Sequence, residues 1–315
     1  MAGLSEHFRL EEVADGVHAA IATPAGFGLC NAAIIDLGGT TLVFDAMLTP
    51  QAGAALGRAA ERLTGRPVGV LVQSHYHGDH VRGSAAVGAA HVVSTRRVRD
   101  LVLERGPLHL RGDRDEVPGE LERLRSGATP ALPEEREVLE GWYGGILATP
   151  ADLEFRPPDL TFESELLVHG RRRSARLLTF GGGHSPSDVL LVLPDERFLC
   201  LGDLLSVGFH PSLSDGNPEE LSRILREVRA LPTDRALPGH GPVSDAAGIA
   251  EMEGYVTALR GLARAALDER VDRETFVGRP PPGPYARWKF TTIYRANVGF
   301  LYDRLRDAGP TAGPA

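Results

Sequence analysis

The feature that most constrains this chain is an aliphatic run, Val68–Val72, that passes almost directly into Ser74-His75-Tyr76-His77-Gly78-Asp79-His80. Three imidazoles and a carboxylate fall within six residues, just after a segment whose unbroken apolar character marks a buried strand. Ligand sites in open α/β folds gather at the carboxyl ends of strands, so the position is as informative as the composition. In an extended or looping backbone, side chains two residues apart project to one side. His75 and His77 can therefore chelate one cation, while Asp79 and His80 point elsewhere. A second compact set of nitrogen and oxygen donors beside the first suggests two ions sharing the loop. The plainer alternative is a solvated loop in which Asp79 caps a helix beginning at His80, but so specific a spacing carries a small false-positive risk.

Three more positions share this setting. His184 follows the strand-like Arg176–Phe180 through Gly181-Gly182-Gly183, and His240 lies in Pro238-Gly239-His240-Gly241-Pro242 after Ala236-Leu237. Asp203 follows the apolar segment Phe198–Leu201 through Gly202. Flanking glycines let a backbone bring an imidazole close to another group. A single histidine in a glycine-rich loop is ordinarily a surface or capping residue, but three such positions, each after a strand, reinforce one another.

On Ser74-His75-Tyr76-His77-Gly78-Asp79-His80, Gly183-His184-Ser185, Gly202-Asp203 and Gly239-His240-Gly241, the chain resembles the metallo-β-lactamase fold superfamily, in that family's order and over roughly Val17 to Val243. The resemblance implies an α/β (α+β) fold, an αββα sandwich with a metal site at one edge. It also implies His75, His77 and His184 on a first metal, Asp79, His80 and His240 on a second, and Asp203 bridging the two. The cofactor implied is two Zn2+ per chain, with iron or manganese as alternatives.

Length and patterning divide the chain into a metallo-β-lactamase-like domain over 1–245 and a helical C-terminal extension over 246–315 packed on the same domain. A helical insertion over about 105–150 is expected to lie over the site as a substrate lid. Its Pro/Gly punctuation suggests two short helices, near Glu120–Arg125 and Glu134–Ile146. Strands are expected at His18–Thr23, Ala32–Leu37, Thr41–Asp45 and Leu160–His169, and helices at Gln51–Leu63, Ala246–Arg270 and Ile293–Leu305. Trp288, Phe290 and Tyr294 are assigned mainly to core packing.

A cation held by neutral imidazoles keeps its charge, so a bound water can reach a pKa of ~7. The leading expectation is a zinc-dependent metallo-hydrolase that cleaves a lactone, ester, thioester or lactam of a small molecule through a metal-bridging hydroxide, with Asp79 moving the proton. Two alternatives stand beside it: a mononuclear iron dioxygenase acting on a persulfide through His75, His184 and Asp203, and a metallo-β-lactamase proper. His210, in the loop after Asp203, and Tyr76 are candidates for substrate contact, while Tyr76, Asp45 and Asp188 are candidates for orienting the imidazoles.

A net charge of -8 opposes a nucleic-acid partner, and no apolar run is long enough to span a bilayer. Met1–Leu10 contains no apolar run, so no leader is expected there, and Cys30 and Cys200 fit buried thiols of a cytoplasmic protein. The expected partner is a small-molecule substrate, with a homodimer as one option for assembly.

Overall fold

The structure is a computed structural model that describes residues 5–308. Residues 1–4 and 309–315, which include the start of Met1–Leu10 and the outer limits of the two-part division, lie outside the described residues.

The first sheet begins as an antiparallel meander of β1 (Phe8–Ala14), β2 (Val17–Ala22), β3 (Ala32–Asp36) and β4 (Thr41–Phe44). The chain then enters α1 (Pro50–Thr64), whose first turn is capped by the Thr49 hydroxyl accepting from the Ala52 N–H and whose end is set by Gly65 in the left-handed conformation. Next come β5 (Val68–Val72), the short α2 (Gly78–Val81), β6 (His91–Thr95), α3 (Arg96–Arg125), α4 (Pro133–Ala148) and β7 (Leu160–Phe162). The seven strands lie in chain order, with β4 to β7 parallel.

The second sheet has the order β12-β11-β10-β9-β8. Its strands are β8 (Glu165–His169), β9 (Ser174–Leu178), β10 (Leu190–Leu193), β11 (Phe198–Cys200) and β12 (Arg235–Leu237), with α5 (Pro218–Arg229) between the last two. The chain closes with α6 (Ala246–Asp268), α7 (Arg273–Val277) and α8 (Thr291–Asp307).

The unbroken apolar runs reflect strands covered on both faces. In β3, Ala33 and Ile35 face the core between the sheets, where they join Phe44, Leu191 and Phe198. The alternate residues Ala32 and Ile34 pack outward with Ala52, Leu56 and Ala59 of α1. In β10, Leu191 and Leu193 face inward, while Leu190 and Val192 pack outward with Leu221 of α5, Val256 of α6 and Leu301 of α8. The result is an αββα sandwich, the mixed fold read from the sequence.

Several local expectations need correction. Leu160–His169 is not one strand: it divides at Glu163-Ser164, with β7 in the first sheet and β8 in the second. β1 and β6 were not anticipated. The two-short-helix reading fails in its first half, because α3 runs 30 residues through Pro107 and Pro118. Both prolines are exposed, so the carbonyls they leave without an intrahelical partner lie on the solvated side, while Val98, Leu101, Val102, Val117 and Leu124 keep a buried stripe.

One polar side chain ties the layers together at the end where the histidines gather. Asn31 Nδ2 donates to Pro238 O (2.9 Å) and Gly241 O (2.8 Å), and its Oδ1 accepts from the Ala22 N–H at 3.1 Å. The loop carrying His240 is thereby pinned to the first sheet.

Candidate metal centre

The ligand candidates leave the carboxyl ends of strands. The β5 exit delivers His75, His77, Asp79 and His80, the β9 exit delivers His184, the β11 exit delivers Asp203 and the β12 exit delivers His240. β4 runs directly into Asp45, whose backbone is left-handed (φ 62°), a conformation that costs of order 1 kcal/mol outside glycine and persists where the surroundings fix it. The Asp45 N–H donates to Val72 O at 2.8 Å, which holds that exit against β5.

Two donor sets result: His75, His77, His184 and Asp203 in one, and Asp79, His80 and His240 in the other. His77 Nδ1 lies 3.1 Å from His184 Nε2, and Asp203 Oδ2 lies 3.3 Å from His184 Nε2 and 3.4 Å from His240 Nε2. Asp203 Oδ1 is 3.2 Å from His80 Nε2, and Asp79 Oδ2 is 3.3 Å from His240 Nε2. Asp203 therefore touches both sets. The approach leaves no room for a side chain at residue 239, where a Cβ would overlap Asp203 Oδ1.

The outward nitrogens explain why the inward ones are available. Ser74 Oγ donates to Asp45 Oδ2 at 2.8 Å, so it accepts from His75 Nδ1–H at 2.9 Å. His80 Nδ1–H donates to Asp45 Oδ2 at 2.8 Å, His240 Nδ1–H to Leu29 O at 3.2 Å, and His77 Nε2–H to Asp215 Oδ2 at 3.0 Å. Four imidazoles thus have their outer N–H committed to a fixed acceptor, which directs the other ring nitrogen at the cluster. His75 Nε2, His80 Nε2 and Asp203 Oδ1 are buried without a hydrogen-bond partner. Such orphans cost ~1–3 kcal/mol each unless satisfied, and a divalent cation is the one partner that suits imidazole lone pairs and carboxylates together. The residues fit a metal.

Electrostatics agree. Burial pushes His75 well below the usual imidazole range and His184 down to about 4. Burial acts the same way on His240 but is outweighed by the Asp203 and Asp79 carboxylates, which push it up to about 10. Asp203 is held well below the carboxylate range: burial opposes this, and His240, His80 and His184 overcome it. Without a cation, protons on the imidazoles balance the two buried acids.

The seven positions named from the sequence lie together, while the two substrate candidates part company. His210 lines the cavity over the cluster, with its Nδ1 3.0 Å from Tyr255 Oη. Tyr76 is buried and absent from the cavity lining: its hydroxyl donates to Asp215 Oδ2 at 2.7 Å. It shares Asp215 Oδ2 with His77 Nε2 and so bears on that imidazole through Asp215. Arg105 of α3 donates to Asp215 Oδ1 (3.0 Å) and to Tyr76 Oη (3.1 Å). Asp45 orients His80 as expected for such a carboxylate, whereas Asp188 accepts from the Gly183, His184 and Ser185 N–H groups and shapes the loop, not the ring.

The cavity above the cluster has a volume of about 220 Å³. Trp142 of α4, Phe209, Phe290 and Ile293 give it an apolar wall, and His109 of α3 is at its edge. Arg82 also reaches it but is ion-paired with Asp113 of α3. Sequence reasoning missed Asp215, Arg105 and His109. Asp215 lies in the loop that follows Asp203, but its partner Arg105 depends on a helical phase of α3 that the prolines concealed.

A mixed four-layer sandwich with a His/Asp cluster at its strand ends defines the class of fold. The family model described as the metallo-beta-lactamase superfamily matches residues 25–240, and the chain belongs to that superfamily. Among solved structures it is similar to a metallo-beta-lactamase from Pontibacter korlensis (TM-score 0.59, 15% identity, covering 79% of this chain and 99% of that one). It is also similar to one from Hirschia baltica (TM-score 0.56, 16% identity, 79% and 97%) and one from Erythrobacter litoralis (TM-score 0.58, 15% identity, 81% and 98%). No curated protein matches the chain. Among the described residues, no helix is long and apolar enough to cross a membrane.

This geometry has two measurable consequences. Asp215→Ala removes the acceptor that orients His77 and is expected to weaken metal binding ~10–100-fold, read by competition with a chromophoric chelator. Wild-type affinity in a folded variant would show that Asp215 does not position the ligand. In the metal-stripped protein, His240 has a folded pKa above its ordinary 6.5. Its contribution to stability is complete below that ordinary value and declines as pH rises toward about 10. The melting temperature of the stripped protein should therefore fall between about pH 7 and 9.5 while that of the metal-loaded protein changes less; parallel profiles would contradict this.

Proposed function

We propose that this member of the metallo-β-lactamase superfamily is a binuclear zinc hydrolase that cleaves an acyl bond, in a lactone, ester, thioester or lactam, of a small molecule. The observation that carries the proposal is the adjacency of two donor sets on the floor of an apolar-walled cavity, with Asp203 of the first set 3.2 Å from His80 and 3.4 Å from His240 of the second. His75, His77 and His184 would hold one zinc ion and Asp79, His80 and His240 a second, which when bound would supply Lewis acidity and a water of lowered pKa.

The chain's own groups have distinct tasks. Asp203 is buried and faces both sets, so it balances charge between them. Asp79 lines the cavity and points Oδ2 at His240, which leaves its other oxygen to carry a proton to the leaving group. Trp142, Phe209 and Phe290 receive the hydrocarbon part of the substrate and keep bulk water from the reacting bond. Helices α3 and α4, which contribute His109 and Trp142 to the cavity, would act as its cover.

A mononuclear iron reading uses only His75, His184 and Asp203. Against it, His77 Nδ1 is within 3.1 Å of His184 Nε2 and has its outer nitrogen tethered to Asp215, an arrangement suited to a fourth donor. The solved structures that share the fold are named metallo-beta-lactamases, so a lactam belongs in any substrate panel.

Metal analysis with a panel of lactone, ester, thioester and β-lactam substrates tests the proposal. The expected result is about two zinc ions per chain and hydrolysis of at least one acyl class, with Asp79→Asn lowering kcat ~10²–10⁴-fold when compared at zinc concentrations that give matched metal occupancy. A single iron with oxygen consumption, or no hydrolysis by fully metallated protein, would overturn it.

A further inference from the structure

Lys289 is the only lysine in the chain, and the structure puts it beside the cavity over the metal cluster. It is half-buried between two buried aromatic neighbours, Trp288 and Phe290. Its backbone is bolted to the loop that follows Asp203: the Lys289 N–H donates to Gly208 O at 2.9 Å, and the His210 N–H donates to Lys289 O at 2.9 Å. The ammonium lies 5.0 Å from the centroid of the Phe209 ring, and that same ring is 6.0 Å from the ring of His240. One phenyl group therefore separates a cation from a candidate metal ligand.

Among the described residues, no carboxylate lies within 4 Å of Lys289. The other cations around the two cavities are matched: Arg82 by Asp113, and Arg9 by Glu11 at 3.2 Å. Lys289 lines a second cavity of about 200 Å³ that adjoins the first across Leu29 and Phe209. An ammonium carried on an anchored stretch of backbone, resting on an aromatic face and unpaired by any acid, is prepared for an anion from outside the chain.

We propose that Lys289 is an anion subsite, and that the substrate is an acyl compound carrying a carboxylate or phosphate group that extends past Phe209 into the second cavity. This deepens the acyl-hydrolase reading and rests on it. The reacting bond lies at the cluster, the apolar part crosses the Leu29–Phe209 wall, and the anionic end meets Lys289. The subsite recognises an oxyanion, and carboxylate and phosphate are its two sources.

The test uses metal-loaded wild type, Lys289→Met and Lys289→Arg with matched esters and thioesters that differ only in a terminal carboxylate, phosphate or neutral amide. Wild type is expected to favour an anionic member over its amide at least tenfold in kcat/KM. Lys289→Met should abolish that preference and Lys289→Arg should retain it. The better of the carboxylate and phosphate arms identifies the anion. Equal kcat/KM for anionic and neutral members in wild type, or full preference in Lys289→Met, would overturn the proposal.

If no acyl compound is hydrolysed, the hydrolase reading fails on its own, and the subsite is judged by calorimetry with phenylbutyrate, phenyl phosphate and neutral phenylbutanamide. Binding of either anion at least tenfold tighter than the amide to wild type, lost in Lys289→Met, supports it. Affinities that the substitution does not change contradict it, because they place the anion on the metals or elsewhere.

Discussion

The structure depends on concentrating five imidazoles and two carboxylates where water cannot reach most of them. Such a cluster is unfavourable by itself: buried polar atoms lose hydration, and His75 and His80 approach to 4.2 Å between ring centroids. It is tolerable because the outer contacts are built. Asp45, Ser74, Asp215 and the Leu29 carbonyl take the outward N–H groups, and the inward atoms form a cradle of matched charge. The two sheets bring the ligand-bearing segments to one edge at fixed register, with Asn31 tying the last of them in place.

Much of the site was legible in the sequence because its ligands sit at fixed offsets from strands. The apolar run Val68–Val72 fixes where the histidine loop begins, and the glycines around His184, Asp203 and His240 mark close approach. What surrounds the ligands was harder to read. Asp215 reaches His77 across more than a hundred residues of chain, and no local pattern encodes that distance. Tyr76, between two ligands in the chain, turns toward Asp215 and Arg105, contacts that depend on distant segments and leave no local trace.

The main errors in the fold reading have a common physical cause. Pro107 and Pro118 are strong local stop signals, yet both fall on the exposed side of α3, where a missing hydrogen bond is replaced by water and the buried stripe decides the outcome. Leu160–His169 is uniformly strand-like, so nothing local reveals that the chain changes sheets at Glu163-Ser164. The C-terminal segment, assigned mainly to packing, does pack its aromatics: Trp288 and Tyr294 belong to the core over the second sheet, and Phe290 packs with Leu124, Val138 and Leu139 while also lining the cavity.

We propose that the cluster cradles two metal ions. Anomalous diffraction from zinc-soaked crystals, collected on both sides of the zinc edge, tests it most directly. Two peaks are expected, one among His75, His77 and His184 and one among Asp79, His80 and His240, with Asp203 between them. A single peak held by His75, His184 and Asp203 alone, or no peak within reach of His240, would contradict it.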